Sequence, residues 1–207
     1  MSSSGNADDI GQLLADLGGR GFLVGTVAEL PQRHRRYTEA IPVLLHWLPK
    51  IADSNSKLDI VQAVAVRWAR PSPVGALVDE YRLAAGDPTL QWMLGDALSR
   101  VADEHHFEEI AALAKHRRYG KAREMVVVAL GNMHDDRAVT LLLELLGDEE
   151  VAGHAVIALG KLRAQEARGA VEAVLAHPKA WVRTEAKRAL AKIERASRQG
   201  RVVGNEG

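Results

Sequence analysis

Cysteine is absent from the 207-residue chain, which excludes disulfide staples and thiolate metal sites and suits a reducing compartment. Aromatic residues are nearly as scarce, at 4% of a chain that is 47% hydrophobic. A core with so few rings has to be filled by Leu, Val, Ile and Ala, which favours helices packed closely on helices. Neither sign of charge prevails: 27 basic residues face 27 acidic ones, so no global field draws the chain to nucleic acid or membrane. No apolar run approaches the ~20 residues that a bilayer crossing needs. The opening Met1-Ser2-Ser3-Ser4-Gly5 lacks the basic and apolar regions of a signal peptide. The expectation is a soluble, cytoplasmic protein with no cofactor and no membrane partner.

What the chain does have is internal periodicity. An Ala followed by an aliphatic residue recurs at Ala65-Val66, Ala97-Leu98, Ala129-Leu130, Ala158-Leu159 and Ala189-Leu190. Taking the second member as an anchor, the steps are 32, 32, 29 and 31 residues. Leu58, Leu90, Ala122, Val151 and Val182 stand eight before the anchors, and Leu94, Val126, Ala155 and Ala186 four before, with Gln62 the exception. Three after come Ala69, Val101, Met133, Leu162 and Ile193. These offsets share one stripe of an α-helix. A second apolar helix precedes each anchored one, carried by residues such as Leu44, Leu77, Ile110, Leu142 and Val171. Breakers separate the partners: Asp53-Ser54-Asn55-Ser56, Gly86-Asp87-Pro88, Tyr119-Gly120, Gly147-Asp148 and His177-Pro178.

Two-helix units of this length, ending in strings such as Trp181-Val182-Arg183-Thr184-Glu185-Ala186-Lys187-Arg188-Ala189-Leu190, resemble HEAT repeats. They are most similar to the short HEAT-like repeats of phycobilisome lyases. The resemblance covers residues 38–196 and is strongest from 121 to 195. It implies an all-α, right-handed solenoid of about five repeats, at 38–70, 73–102, 106–134, 136–163 and 166–196. The family's polar ladder, Asp in the turn and Arg in the second helix, is represented only in part, by Asp87 and Asp148 and by Arg123 and Arg183. Members bind proteins, nucleic acids or tetrapyrroles, so the resemblance speaks to architecture more than to function.

A solenoid needs capped ends. Residues 8–36 read as an irregular helical N-terminal cap, with a helix near Ile10–Leu17 and a capping box at Thr26-Val27-Ala28-Glu29. Residues 1–7 and 197–207 read as disordered. In the last repeat, charge replaces apolar residues at Glu185 and Arg188, as a solvated outer face requires.

Signals for chemistry are weak. Gly19-Arg20-Gly21 follows a helical pattern rather than a strand, against a dinucleotide loop. His105 and His106 with Asp103, Glu108 and Glu109 offer metal-ligand types, but an exposed turn running into an acidic first helical turn explains them as well; no metal is expected. His-Arg-Arg-Tyr occurs at His34–Tyr37 and His116–Tyr119, 82 residues apart and out of phase with the repeat. From His177 to Arg201 eight cations meet two acids, a net +6 with His neutral. Its patch of Arg183, Lys187, Arg188, Lys192 and Arg195 could grip phosphate or could simply solvate the terminal cap.

The functional expectation is a non-catalytic scaffold or adaptor whose second helices present a concave surface to a protein or peptide. Positions −6, −2, +1 and +2 from the anchor lie off the buried stripe. They supply a binding surface of Val64, Arg67, Trp68, Trp92, Asp96, Arg100, Glu124, Asn132 and Lys161, flanked by Ile60 and Ser99. Mixed charge with two tryptophans resembles a protein-recognition face, although packing between repeats would account for the same tryptophans. Nucleic-acid binding through the basic C-terminal helix is the alternative, and a lyase or other enzyme-associated role is a third.

Overall fold

The computed structural model describes residues 3–203, with the side chains of residues 7–199. Every regular element among them is helical: α1 (Ser3–Gly19), α2 (Leu30–Arg33), α3 (Ala40–Trp47), α4 (Ser54–Val64), α5 (Val74–Leu83), α6 (Pro88–Val101), α7 (Phe107–Lys115), α8 (Arg123–Leu130), α9 (Asp136–Leu145), α10 (Ala152–Leu162), α11 (Arg168–Ala173) and α12 (Ala180–Val203). Short 3₁₀ turns join several of them. Among the described residues, no helix is long and apolar enough to cross a membrane. The chain divides into two compact units, residues 1–101 and 102–207.

Local chemistry sets the helix starts. Asp53 accepts from the Ser56 amide at 2.8 Å and opens α4, and Asp87 accepts from the Leu90 amide at 3.0 Å ahead of Pro88 in α6. Asp135 does the same for α9 through the Arg137 amide at 2.8 Å. Each carboxylate satisfies a donor that the first helical turn leaves open. These amide hydrogen bonds hold the Asp53 and Asp87 carboxyls below the ordinary range.

In the first unit, α3 pairs with α4 and α5 with α6, α4 lies along α6, and α1 packs on α3. Leu13 and Leu17 of α1 are buried. That helix starts at Ser3, inside the stretch read as disordered, and the last helix runs to Val203; residues 1, 2 and 204–207 lie outside those described. The capping box does not form as expected. Thr26 makes no side-chain cap, and the Glu29 carboxylate takes the Gly25 amide at 3.3 Å instead, over a single 3₁₀ turn.

In the second unit, α7 pairs with α8, α9 with α10 and α11 with α12, while α8, α10 and α12 lie side by side. The Ala-aliphatic motif sits where these second helices touch. Ala129, Leu130, Ala158, Leu159 and Ala189 are all buried. The glycine one residue past the anchor completes the contact. A β-carbon on Gly131 would lie 2.9 Å from the Ala158 Cα, and one on Gly160 would lie 2.8 Å from the Ala189 Cα. In α8 and α10 position +1 therefore faces the next helix rather than solvent; Ser99, at the same position in α6, is buried.

The first repeat takes a different register from the one expected. Its sequence offers the motif twice, at Ala63-Val64 and Ala65-Val66, and α4 ends at Val64. Ile60, Val61, Ala63 and Val64 are buried, whereas Val66 follows the helix in extended backbone. Val64 is the anchor here. It belongs to the core, and its place in the expected binding surface is corrected accordingly; Ile60, four residues earlier, is buried for the same reason.

Candidate protein-binding face

With anchors at Val64, Leu98, Leu130, Leu159 and Leu190, the residue seven before the anchor is Lys57, Gln91, Arg123, Ala152 or Arg183. Four of these five donate to backbone or acid at the base of the second helix. Lys57 pairs with Glu80 of α5, which is buried. Gln91 donates to the Tyr81 carbonyl at 3.1 Å. Arg183 donates to the carbonyls of His177 and Pro178, both at 2.8 Å.

Arg123 is the fullest case. It is wholly buried and donates to the carbonyls of Ala114 and Gly120, each at 3.1 Å, to Asp148 at 3.0 Å and to Glu150 at 2.9 Å. A buried guanidinium is tolerable only with such complete pairing. Burial by itself would raise the Asp148 carboxyl. The hydrogen bond from Arg123, the Glu150 amide and the charges of Arg123 and Arg117 outweigh it and hold the group low. Arg123 and Asp148 thus make one rung of the polar ladder, joining α8 to the turn before α10. The other two expected members have different partners: Asp87 takes the Ser54 hydroxyl at 2.9 Å, and Arg183 stays within its own turn.

These positioned second helices carry the remaining candidates. In the first unit, α4 and α6 leave a groove of about 380 Å³ lined by Val61, Gln62, Ala65, Met93, Asp96, Ala97 and Arg100, with Pro31 of α2 beside it. Its floor is aliphatic. Asp96 and Arg100 form an ion pair of 2.7 Å on its rim, leaving Arg100 largely exposed. Trp92 lies on the same helix, 38% exposed. Trp68 is half-buried and packs edge-on against Tyr37 at 4.9 Å between ring centres. Tyr37 is in turn buried and donates to the Ala63 carbonyl at 2.7 Å. Trp68 is accordingly held by packing on one side, with part of its surface left open. Arg67 is exposed on the 3₁₀ turn after α4.

In the second unit, Glu124 and Asn132 are half-buried and Lys161 is exposed. Glu124 lies 3.9 Å from the ring of His154 on α10. The imidazole is packed against Trp181 at 5.4 Å, with its Nδ1 buried and unpartnered. Burial pushes the His154 pKa down, opposed in part by the charges of Glu124 and Glu185. Of the expected basic patch on α12, Arg183 is committed to carbonyls and Arg188 pairs with Glu185. Lys187, Lys192 and Arg195 stay exposed.

Two features were not singled out from sequence: Trp181, 44% exposed at the start of α12, and the position seven before the anchor as a shared one, which adds Lys57 and Gln91 to Arg123 and Arg183. The sign of the first is Gly153, where a β-carbon would come within 2.1 Å of the indole. Of the weaker signals, Asp103 accepts from the His105 amide at 3.2 Å and lies 2.9 Å from the His106 ring. Among the described residues, no group of three His, Asp or Glu side chains is arranged to hold a metal.

No curated protein matches the sequence. The family model described as the PBS lyase HEAT-like repeat matches residues 122–148, the stretch that opens beside Arg123 and closes on its partner Asp148. That match, with paired helices throughout the described residues, supports HEAT-like repeats in this chain and marks one at residues 122–148.

Proposed function

We propose that this chain is a non-catalytic HEAT-like scaffold or adaptor that holds a protein or peptide on the face of its second helices. The reading includes about five two-helix repeats, stacked with a right-handed twist within each unit. The observation that supports it best is the groove between α4 and α6. An aliphatic floor of Val61, Ala65, Met93 and Ala97 with a rim of Gln62, Asp96 and Arg100 has the composition of a protein interface, apolar within and polar at the edge. Trp92 adds an aromatic surface on the same helix, of the type that dominates binding energy when a partner covers it.

The test is capture of partners from native lysate followed by mass spectrometry, repeated with Arg100→Glu. Arg100 is largely exposed, so reversal leaves the fold intact and changes the rim alone. Loss of a partner seen with the unmodified chain supports the groove; an identical set of partners for both proteins refutes it. Binding through phosphate contacts instead would weaken steeply with salt.

A further inference from the structure

We infer that the first two thirds of α12, from Trp181 to Arg195, are a second docking point and that its occupant is an acidic peptide segment bearing one bulky apolar side chain. The inference rests on reading the second helices as a peptide-binding face, but it concerns a different helix and different chemistry from the groove above.

Two independent observations meet there. The first is the indole of Trp181. It is 44% exposed yet held in place, because its ring lies in the space that a β-carbon on Gly153 would fill and packs at 5.4 Å against His154. A fixed, half-exposed ring offers apolar area with little ordering cost on binding. The second is charge. Over residues 180–199, six cations meet two acids in a chain that is neutral overall. Arg188, Lys192 and Arg195 stand 7, 11 and 14 residues after Trp181, spacings that return to one side of an α-helix. The cations therefore continue the face the indole begins, about 10 to 21 Å along the axis at 1.5 Å per residue. Arg188 is paired with Glu185, whereas Lys192 and Arg195 make no ion pair among the described residues.

The same geometry favours a peptide over a nucleic acid. Three cations on the stripe give a small phosphate footprint beside the roughly 6–10 contacts of proteins that bind nucleic acid chiefly through charge. Glu124 and Glu185 also flank the indole by way of His154, which repels a continuous polyanion at the point where a base would stack. A peptide meets both ends: an apolar side chain on Trp181 and carboxylates opposite Lys192 and Arg195.

The experiment is panning of a phage-displayed random 12-residue peptide library against the full chain. Binding of the enriched peptides is then measured by fluorescence anisotropy. The expected result is enrichment of an apolar residue followed by Asp or Glu. Affinity should fall at least tenfold for Trp181→Ala and for the exposed pair Lys192→Glu with Arg195→Glu, which keeps the test valid if Trp181→Ala unfolds. Gly153→Ala, which displaces the indole, should act like Trp181→Ala. Failure to enrich acidic peptides overturns the inference. So does unchanged binding in the charge-reversed pair, or tighter binding of an oligothymidylate of the same length. Enriched peptides that depend on Arg100 and not on Trp181 or Lys192 overturn it while leaving the groove reading standing. Dependence on Trp181 and Lys192 but not Arg100 supports it whatever becomes of the groove.

Discussion

Gly160 and Ala189 touch so closely that the β-carbon any other residue would carry at position 160 would stand 2.8 Å from the Ala189 Cα. The obstacle is backbone, which cannot swing aside as a side chain can. Gly160→Ala should therefore cost about 1–3 kcal/mol through overpacking, although alanine is the better helix former. Gly169→Ala in α11, where nothing lies within 4 Å, should be neutral or slightly stabilising. Urea unfolding of both variants checks the contrast; equal midpoints would show that α10 and α12 do not approach as described.

Arg123 should be among the most sensitive positions in the second unit. Arg123→Met removes the partner of a buried Asp148 and leaves the Ala114 and Gly120 carbonyls without their donor. The expected loss is about 3–5 kcal/mol, the cost of breaking a buried pair on one side. Arg123→Lys should restore little, since a single ammonium cannot reach acceptors arranged around a planar fork. Thermal melts of the two variants decide the matter.

Acidity should weaken the second unit through His154. Its pKa in the fold lies below the ordinary 6.5, chiefly from burial, so the unfolded chain binds the proton more readily. The contribution is constant above about pH 6.5 and is lost as pH falls from there to the folded pKa. The loss amounts to about 1.4 kcal/mol per unit of separation between the two values. Urea midpoints at pH 7.5 and pH 5 should converge in His154→Gln relative to the unmodified chain, and an unchanged difference would assign the effect to another group.

Trp92 should separate binding from folding. At 38% exposure it gives up part of its apolar area to water already. Trp92→Ala should leave the melting temperature nearly intact while costing about 2 kcal/mol or more of partner binding. A large melting loss with unchanged capture would make it a packing residue.

The repeats were legible because the Ala-aliphatic pair and its flanking stripe arise from a contact made again and again between like helices. The register of the first repeat was not, because Ala63-Val64-Ala65-Val66 satisfies the pattern twice and only the end of α4 at Val64 chooses between them. Of the donors seven before the anchor, Arg123 and Arg183 were legible as ladder arginines, whereas Lys57 and Gln91 were not, because they differ in type while sharing the task. Trp181 escaped because its fixed, half-exposed pose depends on Gly153 in another helix, and no local periodicity reports such a pairing.

The Arg123 cluster also bears on how the second unit comes apart. In a simple repeat array each module adds its own stability and an interface with its neighbour, and the ends can peel away one at a time. Here the guanidinium of α8 relies on the turn before α10 for two of its partners, Asp148 and Glu150. Unfolding α9 and α10 alone would strand a desolvated charge within α7 and α8. Those four helices are thereby bound into a single cooperative block, and shortening the chain to end between them removes the stability of both pairs at once.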